Sequence, residues 1–550
     1  MRPLKDVFTF YDPENKIWCG IPSAPPYNPD QNLAQLVLSI LDKNRQQVVQ
    51  INADSDSEIT GAELRLRAIK IAQNLSGRGF SQRDSCVMAV GNGDHTAPVL
   101  FACLALAIPV NTLDPSFDRE DLGHMLETVR PRLIFCDTGK TLEEMKAACR
   151  NMGSEATIFQ MDGDRIEGCS HVEDLLISTG SEDTFRPVNV TDASRQTAVM
   201  ICSSGTTSRS KVVCLSHANC IRHVANFFDC LHGERIFAFS SLYWLSGLMI
   251  LLVGTLWGAT RIITRRPFSP KFALELFQRY RLNMVCMPPS QAFALIHEPG
   301  LERANLSSLR LFLCGGGQVT AHLKRSLQRY ITKGSVEIPY GLSELGTAAT
   351  HTRGEFYRDG SVGYARAGME LKIVDDDGNS QDIGQQGEVL IRARDIFKGY
   401  LGNKEATEEM IDSEGWLHTG DIGRFDADGL LYIVDRKKDI IKYNNFPFGP
   451  TEIEDIIQQV PGVNAACVVG LPTETGSDLV TAFVVRAEGY ETCDENRILE
   501  AARRKLPDYK QIRGGIFFGE KLPMTPSGKV LRRNVKVLLS EIVNNGKTLK

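Results

Sequence analysis

The sequence predicts an α/β protein: a large N-terminal α/β domain ending in a β-rich section, residues 1–436, and a small C-terminal α/β domain, residues 437–550. Three observations predict it. The chain has 550 residues, more than the ~250 to 300 at which one hydrophobic core stops growing, so at least two domains are expected. Apolar β-like runs alternate with helical patterns through the first half, the rhythm of parallel sheets with crossover helices. From Gly360 the pattern changes to hairpins, and the charged "DRKKD" at 435–439 separates these from a last α/β segment, which makes it a candidate hinge.

Taken in order, "SCVMAV" (85–90) is a short strand, "NGD" a turn, and "HTAPVLFACLALA" a helix that ends before Pro109. "RLIFCD" (132–137) repeats the strand, "GKTLEEMKAACRNM" the helix and "ATIFQMD" the strand again. No charged residue lies between Arg235 and Arg261, and "LMILLVGTLWGA" raises a membrane span. Ser240, Ser241, Ser246, Gly247, Gly254 and Gly258 interrupt it, so a buried strand, loop and helix are expected instead. In "MELKIVDDDGNSQDIGQQGEVLIRA" two strands flank Asp-Gly and Gly turns.

Composition narrows the function classes. Apolar residues make up 42% and charged residues 23%, ordinary for a globular enzyme, and the net charge of -5 argues against nucleic acid as a partner. The 14 cysteines form no CxxC pair, which fits reduced, mostly buried thiols rather than a zinc or disulfide framework. The first twenty residues mix charges without an apolar core, and the chain closes on "TLK" rather than SKL, so a cytoplasmic location is the default expectation. Neither membrane association nor an oligomeric state is indicated.

One loop stands out. "SSGTTSRSK", 203–211, sits between the β-like "TAVMIC" and "VVCLSH". Closely spaced backbone N–H groups and hydroxyls suit phosphate oxygens, and Lys211 adds a point charge. It is not a Walker A loop, because the second Gly is missing and Val212 stands where Ser or Thr would bind magnesium. By itself it also reads as a solvated Ser/Thr turn.

Four further stretches follow in order: "YGLSE" (340–344), "GWLHTGD" (415–421), "DRKKDIIKY" (435–443) and "PMTPSGK" (523–529). With the loop they resemble the adenylate-forming family of acyl-CoA synthetases, 4-coumarate-CoA ligases and beetle luciferases, over about residues 30 to 535. The resemblance implies that a carboxylate is joined to the α-phosphate of ATP, and that the acyl group then passes to coenzyme A. ATP, Mg2+ and coenzyme A are the implied cofactors, and a small carboxylic acid is the implied partner. Both steps develop charge on oxygens that fixed donors and cations must hold in line.

The resemblance also implies roles. The cradle is Ser203, Ser204, Gly205, Thr206, Thr207 and Lys211, with Thr206 and Thr207 on the β- and γ-phosphates. Glu344 is the metal carboxylate, a donor type that suits a hard cation. Tyr340, with Gly341 and Ser343 beside it, flanks the adenine. Asp421 takes the ribose diol and Arg436 a second ribose and phosphate contact. Gly315, Gly316 and Gly317 let adenine or the acyl chain approach the backbone. Lys529 reaches the substrate carboxylate and α-phosphate. Lys437 and Lys438 lie at the hinge on which the small domain swings, and Lys442 serves the second half-reaction. Taken singly, each of these charges is equally at home on a solvated surface.

Three departures mark this chain. Ser208, Ser210 and Val212 replace two glycines and a proline of the usual loop. Tyr243 and Trp244 stand where relatives carry Phe-His, so Trp244 can shape the acid pocket but not carry charge. Asn444 and Asn445 replace Lys-Gly on the implied thiol route. No Asp near 243–244 is placed to pair an amino acid, and the segments "LYWLSGLMI", "VCMPPSQAFAL" and "LCGGG" are mainly apolar, so a hydrophobic acid, a fatty acid first, is expected. Luciferase-like oxidation of the adenylate, or a catalytically impaired acid- or nucleotide-binding homologue, are the alternatives.

Overall fold

The computed structural model describes residues 9–22, 25–203, 210–224, 232–352, 356–444, 446–473, 477–487, 489–490, 493–524 and 530–544. Short runs such as Cys86–Ala89 and Leu133–Cys136 are apolar and buried at every position. A strand with no polar face must be covered on both sides, and here helices do so. One seven-stranded sheet runs, in spatial order, Lys211–Ser216, Thr197–Ser203, Val110–Leu113, Cys86–Ala89, Leu133–Cys136, Thr157–Gln160 and Ser170–His171. Its pairs are parallel except at the edge, where Thr197–Ser203 and Lys211–Ser216 are antiparallel.

A second seven-stranded sheet runs Ser335–Glu337, Leu311–Cys314, Met284–Met287, Arg235–Ala238, Thr260–Ile263, Val48–Asn52 and Glu58–Thr60. A single apolar cluster joins the two sheets through the helices Leu33–Lys43, Gly61–Gly77, Thr96–Ala105 and Leu245–Trp257. The last of these is the apolar segment that raised a membrane span. It follows the strand Arg235–Ala238, is 13 residues long, and spans about 20 Å at 1.5 Å per residue. Among the described residues no helix is long and apolar enough to cross a membrane.

The β-rich section is an eight-stranded antiparallel sheet. Met369–Val374, Gly387–Ala393, Leu417–Phe425 and Leu431–Arg436 form its centre, with Ser361–Ala365 and Thr350–His351 beyond. Its other edge is unforeseen in the sequence: the hairpin Thr9–Asp12 and Ile17–Gly20 adds two strands, with Trp18 opposite Leu371. Trp18 is buried and stacks on Phe425 at 5.6 Å.

The smaller domain has its own interior. Strands Val463–Pro472, Asp478–Arg486 and Ile516–Gly519 carry the helices Thr451–Gln458, Glu495–Lys505 and Arg532–Asn544. Its two apolar clusters draw only on residues from Ile441 onward.

Candidate active site

Periodicity alone puts a carboxylate inside. Along Leu417–Phe425 the odd-numbered residues are buried and the even-numbered ones are not, so Asp421 falls on the covered face between Thr419 and Gly423. A buried carboxylate needs partners. The Tyr340 hydroxyl donates to Asp421 Oδ2 at 2.8 Å, and Arg436, directly across the ladder from Asp421, places Nε 3.5 Å from Oδ1. Thr419 Oγ1 accepts the Asp421 N–H at 3.1 Å. Burial, and then the Asp421 charge, push the Tyr340 phenol well up, so it remains a donor.

The second group lies at the other end of the same short loop. Glu344 is buried, and its Oε1 accepts the Tyr400 hydroxyl at 2.6 Å. Lys211 Nζ stands over the Tyr400 ring at 4.9 Å. The segment carrying Tyr400 is laced to the cradle's outgoing strand: Leu401 N–H donates to Val212 O at 2.9 Å, Lys398 N–H to Cys214 O at 2.8 Å and Cys214 N–H to Gly399 O at 3.1 Å. Ser203 and Lys211 face each other as the last pair of the hairpin. Ser204, Gly205, Thr206, Thr207 and Ser208, between them, lie outside the described residues, as do Lys529 and Asn445.

Glycine sets two close approaches. A Cβ on Gly315 would meet Pro339 Cγ at 3.2 Å and Pro339 O at 3.3 Å, and one on Gly341 would meet Thr347 O at 2.4 Å. The 315–318 turn therefore lies against the residue preceding Tyr340. Gly316 and Gly317 are exposed beside it, and Gly317 has Pro289 on its far side. From this turn Gln318 Oε1 accepts the Thr451 hydroxyl at 2.5 Å, and the same hydroxyl lies 2.9 Å from Asp435 Oδ2. Burial raises the Asp435 carboxyl. Thr451 thus ties the small domain both to the glycine turn and to Asp435.

Lys437 and Lys438, expected at a hinge, are each more than a third exposed. Lys437 Nζ pairs with Asp376 at 2.9 Å and Glu388 at 3.4 Å, and its N–H donates to Gly420 O. Partial burial, and then the neighbouring Arg436 charge, lower the Lys438 ammonium. Lys442 is held by its backbone on Asp478 within the small domain, and among the described residues no contact joins it to Glu344 or Asp421. Asn444 takes φ 47°, a left-handed conformation that Asn tolerates. Tyr243 is packed in the apolar cluster that holds Cys202 and Val212, edge-on to Trp244 at 4.5 Å, and Trp244 and Leu401 lie on that cluster's rim.

The structure thus brings together Lys211, Glu344, Tyr340, Asp421 and Arg436 around the 340–344 loop. Sequence reasoning gave no role to Tyr400, Gln318 and Thr451, nor to Asp435, although Asp435 opens the "DRKKD" run already noted. It also missed Asn219, whose amide donates to Leu345 O at 3.0 Å and Asp395 O at 2.6 Å and pins the turn after Glu344. The donor set fits a nucleotide with a hard cation: Glu344 spends one oxygen on Tyr400 and leaves Oε2 with no hydrogen bond among the described residues.

Residues 41–401 match the family model described as AMP-binding enzyme, and residues 452–529 match the AMP-binding enzyme C-terminal domain. The chain is 27% identical over 526 residues to the probable 4-coumarate–CoA ligase 3 of Dictyostelium discoideum, covering 92% of this chain and 95% of that one. It is 30% identical over 509 residues to 4-coumarate–CoA ligase 1 of Petroselinum crispum, with 89% and 91% covered. Among solved structures, the anthranilate CoA ligase AuaEII in complex with anthranoyl-AMP has a TM-score of 0.85 at 21% identity, with 94% of this chain and 99% of that chain covered, a likeness of fold.

Proposed function

Because the chain belongs to the family of AMP-binding enzymes, we propose that it activates an aromatic carboxylic acid with ATP and transfers the acyl group to coenzyme A. The observation that carries the reading is the pair of groups held by one loop, Tyr340 with Asp421 and Arg436 at one end and Glu344 with Tyr400 and Lys211 at the other. A nucleotide presents a ribose diol and phosphates, and the two groups offer the matching chemistries: acceptors for hydroxyls, then a cation and a metal carboxylate for oxyanions. Relatives at 27% and 30% identity are named for 4-coumarate, which favours an aromatic acid over the fatty acid expected from the apolar segments.

In the first step a carboxylate oxygen attacks the α-phosphorus and pyrophosphate leaves. Asp421 and Arg436 hold the ribose, Thr206, Thr207 and Lys211 hold the phosphate oxygens, and Lys529 bridges the attacking carboxylate and the α-phosphate. Mg2+, when bound at Glu344, supplies charge neutralisation of the departing phosphates. In the second step the thiol sulfur attacks the acyl carbon, its proton is lost, and AMP leaves. The small domain turns about the 436/437 boundary between the steps, carrying Lys529 away and Lys442 inward. Trp244 bounds the acid pocket.

ATP–pyrophosphate exchange with aromatic, medium-chain and long-chain acids, repeated with coenzyme A and with Lys529→Ala, tests this. Exchange is expected with aromatic acids, lost in the variant, with thioester formed when coenzyme A is added. Exchange without thioester would remove the transfer step. No exchange with any acid would remove the enzymatic reading.

A further inference from the structure

We infer that Tyr400 is a positioning residue for nucleotide binding, its hydroxyl aiming the Glu344 carboxylate at the metal and its ring seating the Lys211 ammonium at the cradle. The inference rests on the assignment of Glu344 as the metal carboxylate. A free glutamate side chain has several rotamers, and a metal ligand is effective when its carboxylate is fixed before the metal arrives. The 2.6 Å hydrogen bond from Tyr400 to Oε1 fixes it and leaves Oε2 with no hydrogen bond among the described residues. The face of the same ring lies 4.9 Å from Lys211 Nζ, an attraction between cation and π system that restrains a flexible stem without using any of its three donors.

Tyr400 is itself immobilised. Its N–H donates to Thr407 Oγ1 at 2.9 Å, its ring packs on Phe397 at 5.2 Å, and Phe397 N–H donates to the Glu344 carbonyl at 3.0 Å. The ladder between 398–401 and 212–214 holds the whole segment to the strand that begins at Lys211. One residue therefore sets the spacing between a metal carboxylate and a phosphate cation that are 133 residues apart in the chain.

The test is equilibrium binding of ATP by calorimetry with and without Mg2+, on the wild type, Tyr400→Phe, Tyr400→Leu and Glu344→Gln, each checked for an unchanged circular dichroism spectrum. Tyr400→Phe keeps the ring, and is expected to weaken binding by about tenfold with Mg2+ and to leave metal-free binding unchanged. Tyr400→Leu removes both, and is expected to weaken metal-free binding as well. Equal affinity of Tyr400→Phe and wild type in Mg2+, or an equal loss with and without the metal, would overturn the inference. An unchanged Mg2+ dependence in Glu344→Gln would instead overturn the assignment of Glu344 on which it rests.

Discussion

Tyr340 and Asp421, 81 residues apart, are joined by a 2.8 Å hydrogen bond that ties the 340–344 loop of one sheet system to the antiparallel sheet. Asp421 Oδ2 is already engaged, so on the proposed assignment a ribose hydroxyl would meet a carboxylate fixed by Tyr340 and Arg436. Asp421→Asn is expected to weaken ATP binding by about tenfold or more, because a charge-assisted acceptor is lost, whereas Tyr340→Phe costs a few-fold. Calorimetric titration with ATP reads both, and equal effects would contradict the ordering.

The Gly341 position leaves no room for a side chain. A Cβ there would come within 2.4 Å of Thr347 O and 2.7 Å of Ala348 Cα, both backbone atoms that cannot swing aside. Gly341→Ala is expected to displace the loop that carries Tyr340 and Glu344 and to lower kcat/KM by at least about tenfold, with thermal unfolding shifted only modestly. Wild-type kinetics in the variant would show that the loop adapts.

Thr451 bridges Gln318 and Asp435 where the small domain meets the large one. Thr451→Val keeps the shape and strips the hydroxyl that Gln318 Oε1 accepts, while Asp435 keeps the Arg436 and Thr451 N–H groups, at a cost of about 0.5 to 1.5 kcal/mol to the docked arrangement. Faster proteolysis in the 437–450 segment and a lower thermal midpoint are expected, both restored by Thr451→Ser.

Two buried histidines make acid sensitivity predictable. His217 Nδ1 accepts from Leu33 N–H, His223 Nε2 bonds to Arg394 O, and burial depresses each imidazole to about 4. Between pH ~6.5 and ~4 the unfolded chain takes up protons that the folded chain refuses, so stability is full above ~6.5 and falls as pH drops toward 4. Each contributes up to roughly 3 kcal/mol across that window. The drop in thermal midpoint between pH 7.5 and pH 5 should shrink in His217→Asn and in His223→Gln, and an unchanged drop in both would refute it.

Much of the fold was legible because its signals are local. The uniform apolarity of Cys86–Ala89 and Leu133–Cys136 states that both faces are covered, and the strand, loop and helix of 235–257 follow from interrupted hydrophobicity. The burial of Asp421 was not read from the sequence, where the residue entered only through the resemblance; the alternation along Leu417–Phe425 that places it on the covered face belongs to the structure. The order of the five motifs gave the family, because each motif is a short run whose residue types answer to one chemistry.

What the sequence by itself determined, then, is the class of sheet, the order of the motifs and the chemistry their residues suit. Only the tertiary structure decided who the partners are. The hairpin Thr9–Gly20 pairs with Met369–Val374, and Tyr400 meets both Glu344 and Lys211. A strand edge or a phenol specifies a kind of partner, a ladder of N–H and C=O or an acceptor, and many segments offer one. The choice among them is made by the packing of the whole chain, which here buries apolar residues of both sheets and Trp18 in one cluster.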